Sequence, residues 1–126
     1  MNRTVEEILN RTGIEAAGAN CLIVVDNDVD EELQELMIAF SEPDGAGNII
    51  SLTRIAPRSI YQYTISGYCV REIGAIAFYQ GETPLKFAVR NAGADQCFTK
   101  VPFGIAYGSG AKLASISSRS ETEEKK

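Results

Sequence analysis

The 126 residues carry 12 Lys and Arg against 17 Asp and Glu, a formal net charge of −5, and 44% are hydrophobic, which fits one domain around a single core. The acidic balance argues against nucleic acid and against anionic membrane leaflets, both of which are bound through positive surface, and leaves neutral or zwitterionic surfaces open. Histidine and Trp are absent, so Ser-His and Cys-His nucleophile pairs and the usual Cys/His zinc site are excluded.

Thr4 and Glu7 make the Thr-x-x-Glu capping box, and Val5, Ile8, Leu9 and Thr12 fall on one face. The spacing predicts a helix over about residues 5–12, ended by Gly13 with Ile14 closing against Leu9. Its stripe is enough to cover a sheet and, at ~1.5 Å per residue, far too short to cross a bilayer. No segment reaches the ~20 consecutive apolar residues of a spanning helix, and Met1 to Thr12 lacks a signal-peptide apolar core. The expectation is a protein made soluble, cytoplasmic or released without a cleaved signal.

Cys21 to Asp26 is a β-branched run stopped by Asn27-Asp28, the pattern of a strand and then a turn. Leu33, Leu36, Met37 and Phe40 have helical spacing, whereas Leu36, Ile38 and Phe40 alternate. A strand over Leu36 to Ser41 is preferred because its neighbours on both sides are β. The acidic run Asp28 to Glu35 has Ca²⁺-binding residue types without the EF-hand spacing. It reads as a solvated turn, and no metal is expected. Asp44-Gly45-Ala46-Gly47-Asn48 has hairpin-loop composition, and strands follow at Ile49 to Ile55 and Ile60 to Ile65, with Pro57 marking the connection. Gly74-Ala-Ile-Ala-Phe-Tyr is a further apolar strand. Leu85, Phe87 and Val89 alternate with Lys86 and Arg90 as in a half-exposed strand. Val101, Phe103, Ile105 and Tyr107 alternate likewise, with Pro102 pointing to an edge or a bulge. Lys112 to Ser117 is the last predicted strand, and the polar residues 118–126 read as a disordered charged tail.

The fold expectation is all-β, an antiparallel β-sandwich of about eight strands with one short N-terminal helix, in a single domain over residues 1–117. Three cysteines, Cys21, Cys69 and Cys97, allow at most one disulfide. Each sits in an apolar strand context, so buried thiols in a reducing interior are preferred over redox or metal chemistry.

The order Leu-Ile-Val-Val-Asp-Asn, Ile-Ala-Pro-Arg-Ser-Ile-Tyr, Gly74-Ala-Ile-Ala-Phe-Tyr-Gln-Gly and Leu85-Lys-Phe-Ala-Val, over roughly residues 20–107, resembles the actinoporin and aegerolysin-like small cytolysins. The resemblance implies a β-sandwich that recognises lipid headgroups and, in many members, makes pores, some only with a second protein. Where actinoporins carry a Pro and clustered Tyr and Trp, this chain has Arg90-Asn-Ala-Gly-Ala-Asp-Gln-Cys-Phe98. A single ring there does not make an aromatic cage for a quaternary ammonium, so phosphocholine recognition is not carried over.

Tyr61, Tyr63 and Ile65 share one strand face, with Tyr68 just beyond. Tyrosines favour binding surfaces, although covering the edge of the core is the preferred role for Tyr61 and Tyr63. Arg71-Glu72 reads as a solvated charge pair. The candidate membrane- or partner-binding residues are Tyr61, Tyr63, Tyr68, Arg90 and Phe98. Three functions stay open: a cytolysin-like module that binds a membrane lipid surface or a second protein, a carbohydrate-binding or structural interaction module, and an enzyme using Asp26, Glu72 or Asp95. Nothing pairs those carboxylates at a catalytic spacing. The expectation is therefore a non-enzyme with no cofactor, no nucleic-acid partner, and homo-oligomerisation left open.

Overall fold

A computed structural model describes residues 20–117 and 121–124. The helix predicted over residues 5–12 lies outside the described residues. The described chain forms β1 (Cys21–Asp28), β2 (Leu33–Ser41), β3 (Gly47–Ile55), β4 (Ser59–Ile65), β5 (Glu72–Phe78), β6 (Leu85–Lys86), β7 (Arg90–Asn91), β8 (Gln96–Gly108), β9 (Ala111–Ile116) and β10 (Glu121–Glu124).

Two sheets result. The first runs β10-β8-β1-β4, with β9 also on β8, and the second runs β3-β2-β5-β6, with β7 also on β5. Period-two alternation turns one face of each sheet inward: Ile23 and Val25 of β1, Val101, Phe103 and Ile105 of β8, Leu36, Ile38 and Phe40 of β2, and Ile73, Ala75 and Ala77 of β5 are all buried. Phe87, placed between β6 and β7 by a hydrogen bond from its N–H to the Ala75 carbonyl, sets its ring edge-on to Phe103 at 5.1 Å and joins the layers.

The ambiguous Leu33–Phe40 stretch is a strand, as the alternation predicts. The sandwich is not wholly antiparallel, because β1 lies parallel to β8, with Ile23 opposite Val101 and Val25 opposite Phe103. Local sequence does not reveal such a pairing, since no turn joins the two strands. The half-exposed strand expected at Leu85 to Val89 is two short strands, because Phe87 turns into the core between them. Pro102 falls on β8 between the ends of β9 and β10. Its carbonyl accepts from the Ser117 N–H, and the β8–β9 ladder ends at this pair, where proline has no N–H to return the reciprocal bond. Residues 121–124, inside the expected disordered tail, pair with Gln96–Lys100 as β10.

The β8–β9 hairpin closes through Ser109 and Gly110 at φ 52° and 85°, the two-residue loop whose twist matches the strands.

Candidate functional site

One end of the sandwich is held by a polar network centred on Asn27, which the sequence presents as the start of a turn. The strand runs on through it, and its side chain is fully buried. Its two amide hydrogens serve three carbonyls, those of Glu31 at 2.9 Å, Ala56 at 2.9 Å and Ile55 at 3.2 Å, so one is shared. Tyr79, just past β5, donates its hydroxyl to Asn27 Oδ1 and ties the second sheet to the first. Above the Tyr79 ring, 4.8 Å from its centroid, sits the Lys112 ammonium, which bonds Glu31 at 2.9 Å and Glu82 at 2.8 Å. Burial pulls the Lys112 ammonium down, and the hydrogen bonds to Glu82 and Glu31 outweigh it and hold it above its ordinary 10.5. Those bonds hold the Glu82 carboxyl below its ordinary 4.5. Burial chiefly pushes the Tyr79 phenol above 10.

The acidic run is an exposed turn between β1 and β2, as expected, and several of its carboxylates are also paired. Arg58 reaches Asp28 and Asp30, both at 2.9 Å, and its guanidinium lies 5.8 Å from the Tyr107 ring centroid. Each cation in the network is shared by two carboxylates, so both clusters keep a net negative charge. Asp26, Glu72 and Asp95 are not brought together: they lie on β1, at the start of β5, and in the turn before β8.

The five sequence-predicted residues do not form one surface. Tyr61 (45% exposed) and Tyr63 (38%) lie on β4 opposite Val25 and Ile23, on the inward face at the sandwich edge. Tyr68 lies beyond β4, with its ring edge-on to Phe40 at 5.7 Å. Arg90, on β7 of the other sheet, donates to the Ile116 carbonyl at 3.3 Å and spans the two layers. Phe98 is 4% exposed and belongs to the core, because the register shift between β8 and β10 beside Thr99 breaks the alternation and turns it to the same face as Val101, Phe103 and Ile105. Arg71 and Glu72 do not pair with each other: Arg71 donates to the Gln96 carbonyl at 2.9 Å, and Glu72 accepts from Ser41 and Asn91.

Cys69 and Cys97 form a disulfide with Cα atoms 5.1 Å apart, which overturns the reading of three buried thiols. Their segments are brought side by side by the bond from the Phe98 N–H to the Val70 carbonyl. Cys21 does stay a buried thiol, pushed up to about 12 by burial.

The surface that sequence reasoning missed is the outer face of the second sheet. Ile49 of β3, Ala39 of β2 and Gly74 of β5 stand in one row across the ladder. Val89 completes it by lying over Gly74, where a Cβ would come within 3.2 Å of the Val89 side chain. Ile49 is 68% exposed and Val89 69%, and between them is an open depression of about 450 Å³ with Ser41, Asn48 and Glu72 on its rim. The next row continues with half-buried Met37 and Ile76. The signal for this face was Glu72-Ile-Gly-Ala-Ile-Ala-Phe78 itself, a strand apolar on both sides.

No protein-family profile matches the sequence, and no curated protein does. Solved structures do match. A protein from Eubacterium rectale, determined by NMR, gives a TM-score of 0.52 at 12% identity, over 79% of this chain and 87% of that one. Pneumolysin gives 0.46 at 9% identity, over 78% of this chain and 23% of its own. A disulfide-locked mutant of intermedilysin with human CD59 gives 0.44 at 10%, over 78% and 24%. The chain thus spans about a quarter of the length of these two proteins. The match to the Eubacterium rectale protein shows a shared all-β fold. In place of the narrower likeness to actinoporins and aegerolysins, the coarser statement of an all-β, two-sheet fold is what holds.

Proposed function

We propose that this domain is a non-catalytic module that docks on a neutral lipid surface through the outer face of its second sheet. The observation that carries the reading is the exposed Ile49–Ala39–Gly74–Val89 row in a chain of net charge −5. The row has apolar area without the Tyr, Trp or Arg anchors that dominate protein–protein hot spots, which favours lipid over a protein partner. Glu72 on the rim disfavours anionic headgroups. Withdrawing the exposed parts of Ile49 and Val89 from water contributes roughly 1–2 kcal/mol each. Together these support only weak, reversible association, weaker than that of a single myristoyl chain at about 10⁴ M⁻¹.

Co-sedimentation with phosphatidylcholine vesicles, with and without sterol or sphingolipid, and with anionic vesicles, tests the reading, and dye release in the same tubes reports leakage. Binding to neutral vesicles that is lost in a folded Ile49→Ser, Val89→Ser double variant is the expected result. Equal binding by wild type and double variant, or no binding to any neutral mixture, refutes it; in the latter case glycan screening addresses the carbohydrate-binding alternative.

A further inference from the structure

The geometry points to β4 as a self-complementary edge through which two copies of this chain pair, antiparallel, about a two-fold axis at Gln62. β4 is the last strand of the first sheet, and among the described residues no strand pairs with its far edge. Its seven residues, Ser-Ile-Tyr-Gln-Tyr-Thr-Ile, include no charged side chain, no Pro and no Gly. The other strands at sheet edges do carry charge: Arg54 in β3, Lys86 in β6, Arg90 in β7, Lys112 in β9, and three glutamates in β10. Edge strands are commonly protected against pairing by charge, Pro or a bulge, and β4 alone has none of these. In a chain of net charge −5, an uncharged edge also lets a second copy approach with no charged side chain of one strand set against the other.

The register follows from symmetry. A two-fold axis normal to the sheet pairs residues of equal parity, and centring it on Gln62 is the only choice that uses all seven residues of β4. Ser59 then meets Ile65 of the second copy, Ile60 meets Thr64, Tyr61 meets Tyr63, and Gln62 meets itself. Both Tyr61–Tyr63 pairs fall on the inward face and extend the core edges of the two copies, and aromatic cross-strand pairs of this kind are favourable. Ile60, 63% exposed in a single copy, is covered on the outer face beside Thr64. Alternate residues of β4 turn their N–H and C=O groups toward the free edge and supply the hydrogen bonds, the strand-addition mode of recognition.

The register makes a narrow test possible with the intact chain. On the axis, the Gln62 Cα atoms would be roughly 4.5–5.5 Å apart, within the range a disulfide spans. Gln62→Cys is therefore expected to cross-link to a covalent dimer under mild oxidation, and Thr53→Cys on the opposite sheet's edge is the control. Cys21 does not interfere, being buried, and Cys69 and Cys97 are already joined. Sedimentation velocity across a concentration series should show wild-type dimer, and Gln62→Lys, which sets two ammonium groups face to face, should weaken it about fivefold or more. A monomer at every concentration, cross-linking by Thr53→Cys as readily as by Gln62→Cys, or undiminished association of Gln62→Lys each overturns the proposal. Recovery of the edge bound to a strand of another protein would overturn the second copy as its occupant.

Discussion

Replacing Asn27 by Ala is the sharpest probe of how the sandwich is closed at its polar end. The substitution removes the donor to the buried Ile55 carbonyl, the donor to the partly buried Ala56 and Glu31 carbonyls, and the acceptor of the Tyr79 hydroxyl. Two of these groups, the Ile55 carbonyl and the Tyr79 hydroxyl, are left buried without a partner, at about 1–3 kcal/mol each. A loss of about 3 kcal/mol is expected, a large share of a stability of roughly 5–15 kcal/mol. Tyr79→Phe leaves only Asn27 Oδ1 short of a donor and should cost about 1.5 kcal/mol. Because the two residues share one bond, the double variant should be less destabilised than the sum of the singles by about 1 kcal/mol. Urea denaturation followed by far-UV circular dichroism measures all four, since the chain has no Trp to report on folding. An Asn27→Ala loss under about 0.5 kcal/mol, or strict additivity in the cycle, would refute the account of Asn27 as the peg between the sheets.

The remaining expectations are simpler. The Cys69–Cys97 bridge closes a loop with a sequence separation of 28, so a Cys69→Ser, Cys97→Ser variant should lose about 3.5 kcal/mol by loop-closure entropy; thiol titration of the unreduced, unfolded wild type should find one thiol per chain, and three would remove the bridge. For pH, the Glu82 carboxyl is depressed below 4.5, so its stabilisation is present above that value and lost as pH falls through the folded value. The Lys112 ammonium is raised above 10.5, so its contribution is present below that value and lost as pH rises. Lys112→Met should flatten both flanks of the thermal-midpoint profile, and an unchanged profile would remove the network as their cause.

Strand positions were legible because alternation is a local property: Leu36, Ile38 and Phe40 declared an inward face even inside a helix-like spacing. Pairing direction was not, because β1 and β8 meet across an interval of many tens of residues with no turn to set their sense. Asn27 was misread for the opposite reason. An Asn before an Asp is a strong local turn signal, and only distant carbonyls from the β3–β4 connection and a hydroxyl from the second sheet make it worth burying. Phe98 and Tyr61 illustrate the same limit for sites. Both are aromatic residues in strands, and only the register separates a core ring from one at the sandwich edge.

The lipid-docking face and the pairing edge are separate surfaces, and symmetry couples them. A two-fold axis normal to the first sheet leaves the sheet normals unchanged, so both copies would present Ile49 and Val89 toward the same side. One copy offers roughly 2–4 kcal/mol of apolar burial, and two in one plane make the second contact intramolecular, a gain that can reach about 10²–10⁴-fold. Binding to phosphatidylcholine vesicles should therefore rise with protein concentration in step with dimer formation. Gln62→Lys should lose vesicle binding although Ile49 and Val89 are untouched, whereas the Ile49→Ser, Val89→Ser variant should stay dimeric and fail to bind. If Gln62→Lys becomes monomeric and still binds vesicles as wild type does, the coupling is refuted while the docking face stands; if the double serine variant binds undiminished, the docking face falls and the pairing edge is left to its own test.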